Sequence, residues 1–328
     1  MSHPPELPEP ETSTHADKTV AYAPRGNWVD TLAPPFSRPY LRLSRADRPI
    51  GTWLLFIPCL WGAGLAAAQS GFRLWDLWIV IGCGLGAFLM RGAGCTWNDI
   101  TDREFDAKVA RTRSRPLPSG QVTVRGALVW MVLQALLGAV ILFSYNTTAI
   151  ALGVASLVLV AIYPFAKRFT WWPQVFLGLA FNWGAMLAWV AHAGSLTLAP
   201  AILWSAGICW TLFYDTIYAH QDKDDDALIG VKSTARLFGD SATLPWLRGF
   251  MVAAVLLMSL AVLIALLPEA NPLKIVIALG GVWAFGWHMA WQLGRLDTED
   301  PGRCLALFRS NRDAGLIPAL FLAVAAWV

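Results

Sequence analysis

Charged residues are scarce in this chain of 328 residues, of which only 14% are Asp, Glu, Lys or Arg while 56% are hydrophobic. Soluble domains carry about 25% charged residues, so the composition excludes an ordinary soluble protein. The mean hydropathy of +0.50 instead predicts several membrane-spanning segments. We therefore expect membrane lipid as a partner, and we expect no nucleic acid.

Signatures of other chemistries are also missing. The five cysteines share no Cys-x-x-Cys spacing, which argues against a disulfide framework and against a zinc site. The sequence contains no nucleophile elbow, no phosphate-binding glycine loop and no metal-binding histidine pair. Nucleophilic hydrolysis therefore has no support from motifs.

The first 40 residues lack both a continuous apolar segment and a basic leader, and residues 1–14 contain three glutamates without any Lys or Arg. An organellar transit peptide is rich in Arg and poor in acids, so this start favours a bacterial protein. We interpret residues 1–40 as a disordered cytosolic tail and residues 41–328 as one transmembrane domain.

Nine apolar segments follow the tail, eight of them long enough to cross the bilayer and one short. A helix needs about 20 apolar residues to cross the hydrocarbon. We therefore predict an all-α, polytopic protein with about nine transmembrane helices. The segments run over residues 50–68, 77–97, 124–143, 147–165, 174–192, 200–219, 249–267, 274–294 and 314–328.

The basic residues are distributed very unequally across this predicted topology. With the N-terminus inside, one side of the membrane holds 22 of the 25 Lys and Arg residues, and we call that side the basic face. The other side holds only Arg73 and Lys274, while Arg91 lies within the second segment. By the positive-inside rule the basic face is cytoplasmic. We expect a bacterial inner membrane with the active site facing the cytoplasm.

Two acidic clusters lie at the basic-face ends of the second and sixth segments. Carboxylates beside membrane helices are costly and are usually retained for a site. Continued as helix, each cluster would line one face. Oxygen ligands suit Mg²⁺, which is commonly shared with substrate phosphates. The first cluster contains Asn98, Asp99, Asp102 and Asp106, and the second contains Asp215, Asp222 and Asp226.

Basic residues accompany both clusters, and Arg in particular can hold a phosphate with two parallel hydrogen bonds. We therefore predict that a diphosphate binds among them, although a positively charged loop is also typical of the basic face alone. The predicted diphosphate ligands are Arg48, Arg91, Lys108, Arg113, Arg115 and Lys232.

At these residues the chain resembles the UbiA superfamily of intramembrane aromatic prenyltransferases, and the resemblance covers about residues 41–328. It is most similar to the members that prenylate 4-hydroxybenzoate. The motifs that carry it are Arg45-x-x-Arg48-Pro-Ile-Gly-Thr, Gly94-Cys95-x-x-Asn98-Asp99-x-x-Asp102-x-x-Phe105-Asp106, Arg115-Pro-Leu-Pro-Ser-Gly, Tyr163-Pro164-x-x-Lys167-Arg168 and Tyr214-Asp215-Thr-x-Tyr218-Ala-x-x-Asp222-x-x-x-Asp226-x-x-x-Gly230-x-Lys232-Ser233-Thr234.

The resemblance implies helices around a central cavity that opens laterally to lipid and is capped at the cytoplasmic side. It also implies transfer of a polyprenyl group from polyprenyl diphosphate to the carbon ortho to the hydroxyl of 4-hydroxybenzoate, a step of ubiquinone biosynthesis. The implied metal is Mg²⁺, held by Asn98, Asp99, Asp102, Asp106, Asp222 and Asp226. The implied catalytic residues are Asp215, Asp102 and Asp222, and those implied for the aromatic substrate are Arg168, Lys167, Tyr163 and Tyr218, with Arg48 as another cation for its carboxylate.

Two alternatives to this function stay open at this point. One is a related prenyltransferase with another acceptor, such as a haem, a naphthoate or a chlorin. The other is a divalent-cation transporter, which would also place acids on membrane helices. A transporter should hold them near the midplane, whereas these acids cluster at one face beside Arg and Lys.

The predicted topology can be tested by labelling with an impermeant thiol reagent in a background without native cysteines. Cysteines placed at Ser114 and Ser241 should react only from the basic face, and one placed at Ser195 only from the other side. Labelling of positions 114 and 195 from the same side would show that the number of crossings between them is wrong.

Overall fold

The computed structural model describes residues 20, 23–24, 26–108, 112–223 and 230–328. Among the predicted site residues, Asp226 and the side chain of Asp222 lie outside this description. The described part of the chain contains helices and no strand, which confirms the prediction of an all-α fold. Of the predicted tail, residues 1–19, 21–22 and 25 lie outside the description.

Thirteen α-helices are present in the described ranges, together with 3₁₀ turns at His220–Asp222 and Leu267–Glu269. The helix Thr234–Leu266 is interrupted at Gly239, whose φ of 60° is a conformation that glycine adopts readily. The helices are α1 (Trp28–Thr31), α2 (Arg38–Leu43), α3 (Ile50–Ser70), α4 (Trp75–Thr101), α5 (Arg103–Asp106), α6 (Val124–Leu142), α7 (Thr147–Phe169), α8 (Pro173–Phe181), α9 (Trp183–Ala193), α10 (Leu198–Ala219), α11 (Thr234–Leu266), α12 (Pro272–Leu293) and α13 (Pro301–Ala325).

Seven of the predicted crossings correspond to helices that are long and apolar enough to span a bilayer: α3, α4, α6, α7, α8 with α9, α11 and α12. The predicted sixth and ninth crossings coincide with α10 and α13, which do not meet that criterion among the described residues. The last segment is nevertheless part of a helix of 25 residues. The count of nine crossings stays a prediction.

The helices differ in how much of their apolar surface they bury. In the most apolar stretch of α3, and likewise of α8 with α9, 61% of the residues are buried, against 17% in α6 and in α7. Most residues of α6 and α7 in that stretch are therefore not packed inside the protein, whereas α3 lies at its centre. There Trp61 packs against Trp210 with ring centroids 4.9 Å apart, and its indole nitrogen donates to the Gly315 carbonyl at 2.7 Å.

A break between α8 and α9 occurs at Asn182, which is 1% exposed. Its side-chain amide donates to the Gly178 carbonyl at 2.9 Å and to the Thr211 hydroxyl at 2.8 Å. These bonds satisfy the amide nitrogen of a buried polar group and attach the break to α10. Phe181 and Trp183, on either side of the break, face the central cavity.

The short helix α1 lies within the segment that was predicted to be a tail, and it braces the loop between α2 and α3. Trp28 donates from its indole nitrogen to the Ala46 carbonyl at 2.8 Å. Asp30 forms an ion pair with Arg42 at 2.7 Å, and Arg42 is 2% exposed. The braced loop carries Arg45 in a left-handed conformation with φ 58°. Residues 27–33 thus support the chain just before α3.

Two truncations of different length should distinguish the contribution of residues 27–33 to stability from that of the residues before them. Deleting residues 1–19 should lower the melting temperature less than deleting residues 1–35. The longer deletion removes Asp30, whose carboxylate is paired with the buried Arg42, and loss of one partner of a buried ion pair typically costs about 3–5 kcal/mol. Thermal unfolding of the purified protein in detergent measures the difference, with Asp30→Asn as the minimal variant. Equal melting temperatures for both deletions would contradict the bracing role.

Candidate active site

A cavity of about 870 Å³ lies among the helices, which confirms the predicted central cavity. One face of α4 runs along it, because the lining residues recur every three to four positions. The end near the basic face is lined by charged and amide side chains, and the rest is lined by apolar residues. The α4 residues that line it are Gly82, Cys83, Gly86, Ala87, Met90, Arg91, Gly94, Cys95 and Asn98.

Asp99 lies behind the charged end of the cavity and is completely buried. Its Oδ1 atom accepts from Arg45 at 2.5 Å and from Arg115 at 3.3 Å. Its Oδ2 atom is buried and has no hydrogen-bond partner among the described residues. A buried carboxylate oxygen without a partner is costly, so this atom is available to a bound cation.

Asp106 shares Arg115 with Asp99, since Arg115 donates to Asp106 Oδ2 at 2.7 Å. Burial raises the pKa of the Asp106 carboxyl, although the charge of Arg115 opposes the rise. One guanidinium thus connects two of the acids in the first cluster and holds the chain after α5 against the end of α4.

Asp102 is 1% exposed and forms ion pairs with other cations than Asp99 does. Its carboxylate pairs with Lys167, and with Arg168 at 3.3 Å. Arg168 also donates to the Thr101 carbonyl at 2.8 Å, and its guanidinium lies over the Phe105 ring at 5.3 Å. The basic end of α7 is therefore bound to the end of α4.

The expectation that the first cluster lines one face of a continuous helix is wrong. Helix α4 ends at Thr101, and Asp102 has φ −100° and ψ 3°. Asp99, still within α4, pairs with Arg45, whereas Asp102, at the turn, pairs with Lys167 of α7. These ion pairs with different elements explain why the chain leaves the helix here.

The second acidic cluster begins on α10 with Asp215, which is half-buried and lines the cavity. Helix α10 ends at Ala219 and passes into the 3₁₀ turn, so the predicted continuous helix is wrong here as well. Tyr163 and Tyr218 line the same cavity as Asp215. The structure thus brings together one acid and two of the residues expected at the aromatic substrate.

Arg91 is the charged residue that lies deepest on α4 and lines the cavity. Its guanidinium rests against the backbone of α3, because a β-carbon added to Gly51 would lie 2.5 Å from its Nε atom. The guanidinium carbon lies 5.3 Å from the centroid of the Phe181 ring. Within the described ranges its Nε atom is buried without a hydrogen-bond partner. Arg91 is thus positioned between Gly51 and Phe181 beside Asp215, with which it interacts electrostatically.

The predicted cations divide into two groups in the structure. Those that line the cavity are Arg48, Arg91 and Arg115. The other predicted cations do not line the cavity. Lys108 and Arg113 are not buried, and the Lys232 ammonium lies 5.9 Å from the centroid of the Trp171 ring. Lys167 and Arg168 pair with Asp102.

Several residues near the cavity were not among the predicted ligands. Arg45 stands in the same motif as Arg48, so the motif already contained the signal. Asp47 is 2% exposed and pairs with Arg48 at 3.3 Å, and in the described part of the chain neither of its carboxylate oxygens accepts a hydrogen bond. Burial raises its pKa, and Arg48 and Arg45 oppose the rise. Tyr214, Gln221 and Arg309 also line the cavity; Tyr214 begins the motif that contains Asp215, whereas no sequence pattern distinguishes Gln221 and Arg309.

The donor atoms fit a hard divalent cation such as Mg²⁺, because they are oxygens of amide and carboxylate groups. Asn98 lines the cavity, and Asp99 next to it has the unpartnered buried oxygen described above. In the part of the chain that the structure describes, no three acidic, His or Cys side chains gather closely enough to hold a metal. The ligands predicted from the second cluster, Asp222 and Asp226, would have to supplement the first.

Comparison with known proteins gives a consistent family. The family model described as "UbiA prenyltransferase family" matches residues 55–312. The mitochondrial 4-hydroxybenzoate polyprenyltransferase of Mus musculus is 48% identical over 297 residues, which cover 90% of this chain and 76% of that protein. The enzyme of the same name from Homo sapiens is 45% identical over 318 residues, which cover 96% of this chain and 80% of that one.

Solved structures share the fold. A UbiA homolog from Archaeoglobus fulgidus bound to GPP and Mg²⁺ superimposes with a TM-score of 0.66 at 21% identity, covering 88% of this chain and all of that one. The apo structure of a UbiA homolog from Aeropyrum pernix K1 gives a TM-score of 0.64 at 23% identity, covering 83% of this chain and 97% of that one. At this identity the likeness establishes the fold.

The prediction of a bacterial inner membrane is wrong. The relatives from Mus musculus, Homo sapiens and Arabidopsis thaliana are named as mitochondrial proteins, and this finding overturns the prediction. The prediction rested on the acidic composition of residues 1–14, and the composition of one terminal segment does not identify the compartment of the membrane domain after it. The multi-pass character is unaffected.

Replacing Gly51 by Ala should displace Arg91, because the new methyl group would lie within 2.5–2.7 Å of the guanidinium. We expect a loss of roughly tenfold or more in the rate of prenyl transfer, equivalent to about 1.4 kcal/mol or more. Steady-state kinetics would measure this loss, and thermal unfolding would check the fold. Gly84→Ala is the control, because its methyl group meets the Phe56 ring only at an ordinary 3.5 Å. Equal kinetics for the two variants would contradict the positioning of Arg91 by Gly51.

Proposed function

Because this chain belongs to the UbiA prenyltransferase family, we propose that it transfers a polyprenyl group from polyprenyl diphosphate to 4-hydroxybenzoate. The bond forms at the ring carbon ortho to the hydroxyl, as a step of ubiquinone biosynthesis. Relatives that carry the name of this activity support the acceptor. The observation that carries the proposal is a continuous cavity with a charged end at the basic face and an apolar remainder.

The apolar part of the cavity suits an isoprenoid tail. Its walls come from α4 together with residues of α6, α7 and α9, among them Ala135, Val154, Leu157 and Leu187. Each buried methylene group contributes about 0.8 kcal/mol, so a long tail binds without any specific polar contact. Such a donor partitions into lipid, and an enzyme within the bilayer receives it there.

The charged end of the cavity suits the diphosphate. Arg45, Arg48 and Arg115 line it, and guanidinium groups bind phosphate oxygens through paired hydrogen bonds. The same Arg45 and Arg115 neutralise Asp99 in this structure, so acids and cations already balance each other there. Lys108, Arg113 and Lys232 do not line the cavity, which leaves their proposed part in diphosphate binding without support from the geometry.

We assign Mg²⁺ to Asn98, Asp99, Asp102, Asp106, Asp222 and Asp226. When bound, the cation supplies positive charge against the negative charge that develops on the leaving diphosphate. The UbiA homolog from Archaeoglobus fulgidus binds GPP and Mg²⁺ together. In this chain the buried Oδ2 of Asp99, which lacks a hydrogen-bond partner among the described residues, supports the assignment.

The chemistry needs charge stabilisation rather than a nucleophilic side chain. The allylic carbon–oxygen bond breaks, and both electrons leave with the diphosphate, whose charge the surrounding guanidinium groups stabilise. The allylic cation then bonds to the electron-rich carbon beside the phenol hydroxyl. Loss of the proton from that carbon to the released diphosphate restores the aromatic ring. A cavity walled by apolar residues keeps water from capturing the cation.

We assign Asp215 to accept the hydrogen bond of the phenol hydroxyl of 4-hydroxybenzoate. It lines the cavity between the charged end and the apolar part, beside Arg91 and near Tyr163 and Tyr218. A carboxylate there can accept the phenol hydrogen bond and draw electron density into the ring. We assign the benzoate carboxylate to Arg48, which lines the cavity, rather than to Lys167 and Arg168, which pair with Asp102. The diphosphate is then left to Arg45 and Arg115.

The purified protein should transfer a prenyl group from geranyl or a longer prenyl diphosphate to 4-hydroxybenzoate. The rate should fall to background when EDTA removes Mg²⁺ and should return when Mg²⁺ is restored. Product formation is followed by mass spectrometry, with naphthoate and haem acceptors assayed in parallel. Transfer to one of those acceptors but not to 4-hydroxybenzoate would support the proposed prenyl transfer and contradict the proposed acceptor.

Substitution of the proposed metal ligands should abolish turnover without preventing folding. We expect Asp102→Asn and Asp222→Asn each to reduce the rate at least tenfold, or by roughly 1.4 kcal/mol or more of barrier. Asp313→Asn serves as the control, since Asp313 is exposed and forms its ion pair with the neighbouring Arg312. Circular dichroism and thermal unfolding report on the fold. Near-normal turnover of Asp102→Asn would argue against its role.

A further inference from the structure

The wall that α4 contributes to the cavity has one position with open space beside it. Gly82, Gly86 and Gly94 all line the cavity. A β-carbon added at Gly82 would collide with the Tyr145 hydroxyl, and one added at Gly94 would touch Val160 at 3.9 Å. At Gly86 an added β-carbon would meet no atom of the described residues within 4 Å. The space beside Gly86 therefore belongs to the cavity and is not filled by packing.

The depth of Gly86 follows from its place on the helix. It lies twelve residues before Asn98, or about 18 Å along the axis at ~1.5 Å per residue. Nearer the charged end, Met90 packs against α6, where a β-carbon on Gly138 would lie 3.1 Å from its sulfur atom. One turn deeper, Tyr145 lines the cavity beside Gly82; its hydroxyl donates to the Ile79 carbonyl at 3.2 Å, and it is 7% exposed.

Prenyl tails of different lengths reach different depths in such a groove. An extended chain advances roughly 1.2 Å per bond, as the ~3.6 Å length of a three-bond residue implies. Measured from the level of Asn98, a geranyl tail of two isoprene units spans about 10 Å and ends before Gly86, which lies about 18 Å away. A geranylgeranyl tail spans about 19 Å and reaches past Gly86.

We propose that Gly86 is a specificity-determining residue for the prenyl donor. Because it has no side chain, the groove stays wide enough for tails of more than about three isoprene units to pass towards Tyr145. This inference rests on the proposed prenyl transfer and adds to it the residue that admits long donors. It also implies that the tail follows α4 past Gly86, instead of leaving sideways between α6 and α7 before reaching it.

The test compares the purified wild-type protein with Gly86→Leu and Gly86→Ala at saturating 4-hydroxybenzoate and Mg²⁺. The donors are geranyl, farnesyl, geranylgeranyl and solanesyl diphosphate, and kcat/KM is measured for each. Gly86→Leu should keep most of its activity with geranyl diphosphate. It should lose roughly tenfold or more with geranylgeranyl and solanesyl diphosphate, the effect that misplaced methylene groups have in an apolar pocket. With the long donors, the kcat/KM of Gly86→Ala should lie between those of the wild type and Gly86→Leu.

Gly84→Leu is the matched control on the same helix, since Gly84 does not line the cavity and faces the Phe56 ring. It should change kcat/KM by the same factor for every donor. If Gly86→Leu changes all donors equally, or none, while the wild type is active, the proposal for Gly86 is overturned and the transferase function stands. A wild-type protein that prenylates no acceptor with any donor would overturn both.

Discussion

The constraint on which the rest of the structure depends is the neutralisation of carboxylates at the end of a membrane helix. An unpaired charge in a medium of low dielectric is expensive, and Asp99 and Asp102 are almost completely buried. Asp99 is paired with Arg45 and Arg115, and Asp102 with Lys167 and Arg168. The four cations come from the loop before α3, the loop before α6 and the end of α7. The ion pairs therefore determine how these segments close over the charged end of the cavity.

One face of α4 therefore lines both the charged part and the apolar part of the cavity. Near its end it presents Asn98 and Arg91 to the charged part of the cavity, and further into the bilayer it presents glycine and alanine to the apolar part. The diphosphate and the tail of a prenyl donor are joined covalently, so a site for both must combine these environments over a short distance. One helix that crosses the membrane meets that need because its lining residues repeat along its full length.

Much of this architecture could be predicted from the sequence, for physical reasons. Apolar segments of bilayer length indicate helices almost directly, and the acids beside them, such as Asp99 and Asp102, indicate the site. The pairing of Asp102 with Lys167 could not be predicted, because these residues are 65 positions apart and the contact depends on how α7 packs against α4. The end of α4 at Thr101 and the break at Asn182 depend on contacts with other elements in the same way. Arg309 reaches the cavity through the packing of α13, which no local pattern reveals.

The central claim is that the charged end of the cavity is a diphosphate site completed by a divalent cation. Equilibrium binding of geranyl thiolodiphosphate, a slowly reacting donor analogue, tests it most directly because no turnover is required. The account predicts saturable binding to the purified protein with Mg²⁺ present, and binding weaker by roughly tenfold or more, about 1.4 kcal/mol or more, after treatment with EDTA or in an Arg115→Gln variant. Equal affinity under all three conditions would contradict it.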